Sequence, residues 1–305
     1  MDAGTLAVLL PERRRLAGPI APDLAARFGR ADALPAGDAG HTAQLQRHFR
    51  IASGGWPLAA ITREHQCGDA RGHAWLRADP AYVRAEMSGV RLMGFGALGL
   101  DAAAADDLAG VLRPVFGDAG FALDIADAGR WHLRLPAGTP IPASTAPEDA
   151  LGTDVFEYLP QGPEGRRWRA LANEAQVLLH HHPLNERRVQ AGLPPVNSMW
   201  FWGGGVLPDR VGCDAAAIIG DDFELRALAR ACGAADAPGD AGAALLDLRA
   251  ARDWPRLEDW LRAEALPALG TRHEALLLDF ADGTRVRLRA RQRWRVWRGA
   301  RDPRA

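Results

Sequence analysis

The sequence HHHPLNERRVQAGLPPVNSMWFWGGG, residues 180–205, is the stretch from which the rest of the chain is interpreted. Pro183 disfavours helical geometry in the residue before it, so a preceding helix should end there. LNERRVQ predicts a short helix closed by Gly192, which can adopt the left-handed conformation of a C-terminal cap. Pro194 and Pro195 hold the chain extended into VNSMWFW, whose apolar and aromatic content is typical of a buried strand. The glycines that follow indicate a sharp turn or a close approach to another segment.

Eight residues of this segment are candidate ligand-binding positions. The asparagines begin or precede an element, where a carboxamide either binds a ligand or replaces missing backbone hydrogen bonds. The tryptophans fall on one face of the predicted strand, and core packing in a parallel sheet covered on both sides is the alternative. The glycines match no nucleotide-binding fingerprint, although their amides could bind an anion. The candidates are Asn185, Arg188, Asn197, Trp200, Trp202, Gly203, Gly204 and Gly205.

Three consecutive histidines, His180, His181 and His182, raise the question of a metal site. Zinc needs three or four ligands that converge on one point, whereas adjacent residues of a helix or strand point apart. The alternative is a helix C-terminus, where imidazoles can cap free carbonyls and positive charge is favourable. We therefore predict no metal ligands and no catalytic residue in this run.

Three further stretches, with the central one, carry a resemblance to a known family. They are AWLRADPAYVRAE from Ala74, GRWHLRLP from Gly129 and NEAQVLLHHHP from Asn173, and all lie within residues 74–222. These segments resemble the archaeal-type, cofactor-independent phosphoglycerate mutases of the alkaline-phosphatase superfamily. The likeness is closest to a bacterial branch of phosphoglycerate-mutase-like or regulatory proteins. The resemblance implies an α/β fold with a mixed, largely parallel sheet flanked by helices, a reduced alkaline-phosphatase-like core.

The same resemblance implies a two-metal centre whose ligands are missing from this sequence. In the mutases a serine or threonine is phosphorylated between two metal ions, and an aspartate after the first strand is one ligand. Here the strand TLAVLL runs into PERRR, and His273 is the only histidine after His182, with no aspartate beside it. The available serines are Ser53, Ser88, Ser144 and Ser198, and no GxSxG elbow occurs.

Two functional hypotheses follow from the missing metal ligands. The favoured one is a non-catalytic or regulatory relative of the mutases that has no cofactor and binds a protein partner or a phosphorylated small molecule. The alternative is an active, metal-dependent phosphoglycerate mutase or phosphatase with relocated ligands and a Mn or Zn cofactor. We expect neither nucleic acid nor a membrane as a partner.

The remaining sequence predicts the arrangement around this segment. TLAVLL is typical of a buried first strand, and residues 72–136 predict a smaller, strand-rich α/β layer. EALLLDF, the turn signal Asp282-Gly283 and RVRLRA predict a C-terminal hairpin. The proline-rich stretch 136–147 favours a division into regions 1–147 and 148–305, or else a long loop inside one continuous domain.

Composition bounds the function classes. The chain has 48% hydrophobic and 25% charged residues and a net charge of -1, which gives no global reason to expect a polyanion or an anionic membrane as partner. All positive side chains other than histidine are arginine, as no lysine occurs. The three cysteines, Cys67, Cys213 and Cys232, form no disulfide framework or zinc ribbon, and no stretch is long enough to span a bilayer. We expect a cytoplasmic protein.

Six arginines alternate near the C-terminus, at positions 285, 287, 289, 291, 293 and 295. On an extended strand they would line one face, with Trp294 and Trp297 at its end. Such a stripe can bind nucleic acid, a smaller anion or an acidic protein. The alternative is a charged strand face that prevents edge pairing.

Overall fold

The computed structural model describes residues 4–52, 55–87, 89–237 and 242–304. The strands in these ranges are β1 (Thr5–Leu10), β2 (Asp32–Ala33), β3 (Phe49–Ile51), β4 (Ala74–Glu86), β5 (Gly89–Phe95), β6 (Ala122–Asp127), β7 (Arg130–Leu135), β8 (Ser198–Val206), β9 (Val211–Cys213), β10 (Ala217–Ile219), β11 (Ala244–Asp247), β12 (Ala275–Phe280) and β13 (Arg285–Arg289). The helices are α1 (Pro22–Gly29), α2 (His41–Gln46), α3 (Leu58–Cys67), α4 (Ala102–Asp118), α5 (Pro147–Ala150), α6 (Gly162–His180), α7 (Pro183–Gln190), α8 (Phe223–Cys232), α9 (Trp254–Trp260) and α10 (Leu266–Ala268), with a π-helical turn at Leu261–Ala265.

The chain forms two compact units. Met1–Arg50 and Arg210–Ala305 make the parallel-sheet unit, and Ile51–Asp209 make the antiparallel-sheet unit. The predicted division at residue 147 differs from this partition, because that residue lies inside the second unit. Trp131 before it and Trp168 after it belong to one hydrophobic core.

The parallel-sheet unit contains a six-stranded sheet in the order β10-β11-β1-β12-β13-β2. The first four of these strands run parallel, whereas β13 and β2 are joined by antiparallel pairing. All six residues of β1 are buried, as expected for an apolar strand between two parallel neighbours. Helices α1 and α9 cover the sheet, and Phe28 packs edge-on against Trp254 at 6.1 Å. The prediction of a mixed, largely parallel α/β fold is confirmed.

The C-terminal hairpin forms as predicted, but the arginine stripe is shorter than expected. β12 and β13 pair antiparallel around Asp282-Gly283. β13 ends at Arg289, and residues 290–294 form a 3-10 helix, so only the first three of the six arginines alternate along a strand. The strand ends here because Gln292 Oε1 accepts a hydrogen bond from the backbone N–H of Arg289 at 3.0 Å, while its Nε2 donates to Asp32.

The antiparallel-sheet unit contains the predicted strand-rich layer. Its strands follow the order β5-β4-β7-β6, and β8 pairs with β4. Helices α4 and α6 pack on the sheet around a core that includes Phe121 stacked on Trp168 at 5.1 Å. β8 runs antiparallel to β4, with Trp200 opposite Asp79, so the prediction that this aromatic strand belongs to a parallel sheet is wrong. The 136–147 loop covers Trp200, whose Nε1 donates to the carbonyl of Thr145, and α6 covers Phe201 through Trp168.

No helix in the described ranges combines the length and apolar character needed to cross a lipid bilayer.

Candidate functional site

Ligands of open α/β sheets bind beyond the carboxyl ends of the parallel strands. In the parallel-sheet unit these ends bring two acids into one row, because Asp247 of β11 and Asp279 of β12 both lie in register with Leu9 of β1. Residues in register point to the same face of a sheet. The apolar Leu9 side chain therefore separates two carboxylates whose backbones are two strand spacings apart, about 9–10 Å.

Asp279 is fully buried, and the segment that begins with α2 neutralises it. Arg47 Nη2 donates to Oδ1 at 2.7 Å, and Nε donates to Oδ2 at 3.1 Å. His48 Nε2 lies 2.8 Å from the same Oδ2. Gln44 Nε2 anchors α2 across the strand ends, donating to the carbonyls of Leu10 at 3.0 Å and of Asp279 at 2.6 Å. Both oxygens of this carboxylate are thus engaged by cationic or imidazole side chains.

Asp247 is the centre of a second cluster, built around Arg249. The guanidinium donates to Asp247 through Nε at 2.9 Å and Nη2 at 2.7 Å, and Nη2 also lies 3.0 Å from Asp222 Oδ1. Arg249 Nη1 lies 3.1 Å from the ring nitrogens of His41. Burial, and then the charge of Arg249, lower the pKa of His41 to about 4. The imidazole is therefore neutral at physiological pH, and among the described residues the guanidinium is the cation at the centre of this cluster.

This donor set does not fit a divalent metal ion. Within the described ranges, no three His, Cys, Asp or Glu side chains are arranged to hold one. Asp247, Asp222 and His41 do converge, but the Arg249 guanidinium lies between them and supplies the positive charge that a Zn or Mn ion would bring. Arginine stays protonated in proteins and cannot act as a ligand.

Beside these clusters, an open cavity of about 700 Å³ lies beyond the ends of β1 and β12. Its charged lining is balanced. Arg13 Nε donates to Asp282 at 2.7 Å, and Arg304 binds Asp302 through Nη2 at 2.7 Å. Glu12, two residues after the end of β1, is ion-paired with Arg14. Acids at this edge are thus matched by arginines.

The candidate residues of the central segment lie in the other unit, and their side chains bond to the protein. Asn185 Nδ2 donates to the carbonyls of Leu179 and Val196 at 2.7 and 2.8 Å, and its Oδ1 accepts from the N–H of Val196. Asn197 pairs with the N–H and carbonyl of Val83 as a further strand residue would. These contacts match the structural alternative for both asparagines, since each carboxamide replaces backbone hydrogen bonds at a junction.

Arg188 and the two tryptophans are likewise held by nearby groups. Arg188 donates to the carbonyls of Pro194, at 3.0 Å, and Leu98. Trp200 Nε1 donates to the carbonyl of Thr145 at 2.8 Å, and Trp202 Nε1 donates to Asp79 at 2.7 Å. Their role as ligand contacts remains a prediction.

The three glycines continue β8 instead of forming a turn, and each is closely approached. Gly203 has φ +64°, and a β-carbon there would lie 3.3 Å from the Ala59 nitrogen. A β-carbon on Gly205 would lie 2.7 Å from Pro57, and one on Gly204 would overlap the Ile141 side chain. Close packing, the second of the two sequence interpretations, accounts for glycine at these positions, and binding of an anion by their amides stays a prediction.

Sequence reasoning did not single out a buried polar group beneath this strand. Asp79 accepts from Arg77 Nε at 2.9 Å and from the backbone N–H of Trp131 at 3.2 Å, in addition to Trp202. Burial raises the pKa of Asp79, and the charge of Arg77 opposes that shift. His132 is completely buried, and neither ring nitrogen has a hydrogen-bond partner among the described residues. The available signal was an arginine and an aspartate two positions apart, hence on one face, in an otherwise apolar strand.

The histidine run and the serines complete the sequence candidates. α6 ends at His180, and His182 is the N-cap of α7, where its Nδ1 accepts from the N–H of Leu184 at 3.2 Å. His182 thus caps the start of the following helix, not the end of the preceding one. Ser198 begins β8, whereas Ser53 and Ser88 lie outside the described residues.

Comparison with known proteins connects part of this chain to the mutases. A segment of 80 residues is 42% identical to the 2,3-bisphosphoglycerate-independent phosphoglycerate mutase of Methanosarcina acetivorans, covering 25% of this chain and 20% of that enzyme. The Methanosarcina barkeri enzyme is 42% identical over 64 residues, covering 21% and 16%, and a probable mutase of Geobacter sulfurreducens is 40% identical over 62 residues, covering 20% and 16%. The matched segment thus spans a fifth or less of these curated relatives. No family model matches the chain.

Comparison with solved structures matches this chain to the cofactor-independent phosphoglycerate mutase of Thermoplasma acidophilum. The two chains are 15% identical with a TM-score of 0.39, and the match covers 94% of this chain and 89% of that one. A protein of Pyrococcus horikoshii has 13% identity, a TM-score of 0.44, and coverage of 94% and 87%. The sequence matches confirm the resemblance to the cofactor-independent phosphoglycerate mutases over part of the chain.

Proposed function

We propose that this chain is a non-catalytic or regulatory relative of the cofactor-independent phosphoglycerate mutases. In this proposal it has no metal cofactor and acts by binding a protein partner or a phosphorylated metabolite. The observation that carries the proposal is the pairing of arginine with acids at the carboxyl edge of the parallel sheet: Arg249 with Asp247 and Asp222, and Arg47 with Asp279.

Charge supports the non-catalytic part. Two-metal phosphoryl transfer relies on carboxylates and imidazoles that hold two cations, which stabilise the attacking and leaving oxygens. Here the buried carboxylates are already neutralised by guanidinium groups. A guanidinium binds phosphate well, but it cannot replace a metal ion that activates a hydroxyl or water at neutral pH. Such an edge favours binding over turnover.

We also propose a cytoplasmic location. The observation in its favour is that Cys67, Cys213 and Cys232 are all free thiols, as is usual in a reducing compartment.

The test combines metal analysis with an activity assay. The purified protein should contain no stoichiometric Mn or Zn, and it should not convert 3-phosphoglycerate to 2-phosphoglycerate with either ion added. The Methanosarcina acetivorans mutase, assayed in the same buffers, serves as the positive control. Turnover that a chelator abolishes and a metal ion restores would overturn the proposal in favour of a mutase with relocated ligands.

A further inference from the structure

The parallel-sheet unit carries a basic groove of about 440 Å³, and the acids of the carboxyl edge are not among its lining residues. It lies between α1, the turn that leads into α10, and the segment that follows β13. Its charged lining consists of five arginines and one acid: Arg27, Arg30, Arg262, Arg289, Arg293 and Asp23. We call it the arginine groove.

The one lining acid does not balance these charges. Asp23 is bound on both oxygens by Arg262, at 2.6 and 2.7 Å. Arg27, Arg30 and Arg293 form no ion pair with an acid in residues 4–52, 55–87, 89–237 or 242–304. Among the described residues, these three arginines of the arginine groove therefore have no ion-paired acid.

The charges of these arginines also repel one another. Burial, and then the charge of Arg30, lower the pKa of Arg27. Arg30 Nη1 donates to the backbone carbonyl of Arg293 at 3.1 Å, but its buried Nε has no partner among the described residues. A positive charge nearby disfavours the charged form of a second cation, and a bound anion favours it. The arrangement is thus what a phosphate group requires of its site.

The groove also offers apolar and aromatic surface. Leu266, Leu288 and Ala290 contribute to its lining. Trp294 follows the lining residue Arg293 in the sequence; its side chain is 68% exposed, and the Arg293 guanidinium lies 4.9 Å from its ring centre. An exposed tryptophan beside arginines is suited to a ring that stacks while its phosphate is bound.

We propose that the arginine groove binds a phosphate-bearing metabolite of nucleotide size. The phosphate contacts Arg27, Arg30 and Arg293, and the rest of the ligand lies on the apolar lining and Trp294. The volume is within the 300–1,000 Å³ usual for small-molecule sites. A long nucleic acid fits less well, because the net charge of the chain is -1. This inference rests on the binding part of the proposed function and is independent of its non-catalytic part.

The test is a titration of the full chain by calorimetry and by tryptophan fluorescence. The probes are AMP, ATP, adenosine, inorganic phosphate and a twelve-nucleotide single strand. We expect ATP and AMP to bind at least tenfold more tightly than adenosine, with an affinity that falls as salt rises. Arg27→Gln and Arg293→Gln should each weaken ATP binding about five- to twentyfold. Trp294→Phe should remove most of the fluorescence change.

The matched control is Arg256→Gln, an exposed arginine of the same unit that does not line the groove. It should bind ATP like the parent, and thermal melts should show that all variants are folded. Equal binding of adenosine and AMP, parental affinity in both arginine variants, or no binding by any nucleotide would overturn the inference. Tighter binding of the twelve-nucleotide strand than of ATP would replace the metabolite by nucleic acid. Metal-dependent mutase turnover would refute the non-catalytic proposal and leave these titrations unaffected.

Discussion

Replacing Arg249 by methionine tests whether a guanidinium takes the role of a cation at the sheet edge. The substitution retains much of the side-chain volume but leaves Asp247 and Asp222 facing each other without a positive charge. The side chains of Arg249 and Asp247 are only 10% and 8% exposed, so water cannot readily replace the lost partner. Removing one partner of a buried ion pair typically costs about 3–5 kcal/mol.

Two features move the expected cost to the lower end of that range. Asp222 is 26% exposed and keeps its second role, accepting from the N–H of Leu225 at the start of α8. The substitution also removes the charge that, after burial, lowers the pKa of His41, so protonating this imidazole beside the two acids becomes less costly. We therefore expect Arg249→Met to lower the free energy of unfolding by about 3 kcal/mol at pH 7.

The same variant should not gain a zinc site. The methionine side chain fills much of the space that the guanidinium leaves, and within the described ranges no three His, Cys, Asp or Glu side chains are arranged to hold a metal ion. We therefore expect added zinc not to restore the lost stability.

The measurement is urea denaturation followed by far-ultraviolet circular dichroism, with and without zinc. Arg256→Met, an exposed arginine on α9, is the control and should change stability by less than about 0.5 kcal/mol. The reasoning is refuted if Arg249→Met costs less than about 1 kcal/mol, or if zinc restores the stability of the variant to that of the parent.

Three further predictions concern packing, hydrogen bonding and pH. Gly204→Ala should cost about 1–3 kcal/mol in thermal denaturation, because its methyl overlaps Ile141, while Gly117→Ala, with open space around it, should cost nothing. Asn185→Ala should cost about 2–4 kcal/mol and speed hydrogen exchange at the Val196 amide, which loses its acceptor; unchanged exchange there would contradict the assignment. The pKa of His41 is lowered from 6.5 to about 4, so the unfolded chain takes up this proton first as pH falls. The free energy of unfolding should therefore fall by up to about 3 kcal/mol as the pH is lowered from 6.5 to 4. Equal urea midpoints at pH 7 and pH 4.5 would exclude this contribution of His41.

Local elements were predictable because short-range sterics and hydrophobic pattern decide them. The apolar run of β1, the Asp282-Gly283 hairpin and the cap of α7 at Gly192, with φ +73°, all form as the sequence indicates. The arginine alternation misled because it continues past Arg289, while the side chain of Gln292 ends the strand there. Alternating side chains line one face of a strand only as far as the backbone hydrogen bonds to the neighbouring strand continue.

The direction and partners of β8 lay beyond sequence reasoning. Its continuous aromatic content is equally compatible with a parallel or an antiparallel neighbour, since both arrangements can bury two faces. The pairing with β4 decided the direction of β8. It also let Asn197 pair with Val83 as a strand residue does, and it brought the Trp202 indole within hydrogen-bond distance of Asp79.

By itself the sequence determined the elements, the family resemblance and the lack of the expected N-terminal aspartate. Only the tertiary structure decided which charges meet. Arg47 reaches Asp279 across 232 positions of sequence, and Arg249 reaches His41 across 208. The physical reason is the path of the chain, which enters the parallel-sheet unit at β1, leaves it near Arg50 and returns at Arg210. Acids and arginines that are distant in sequence therefore meet at one edge of the sheet. Neither periodicity nor local spacing carries that information.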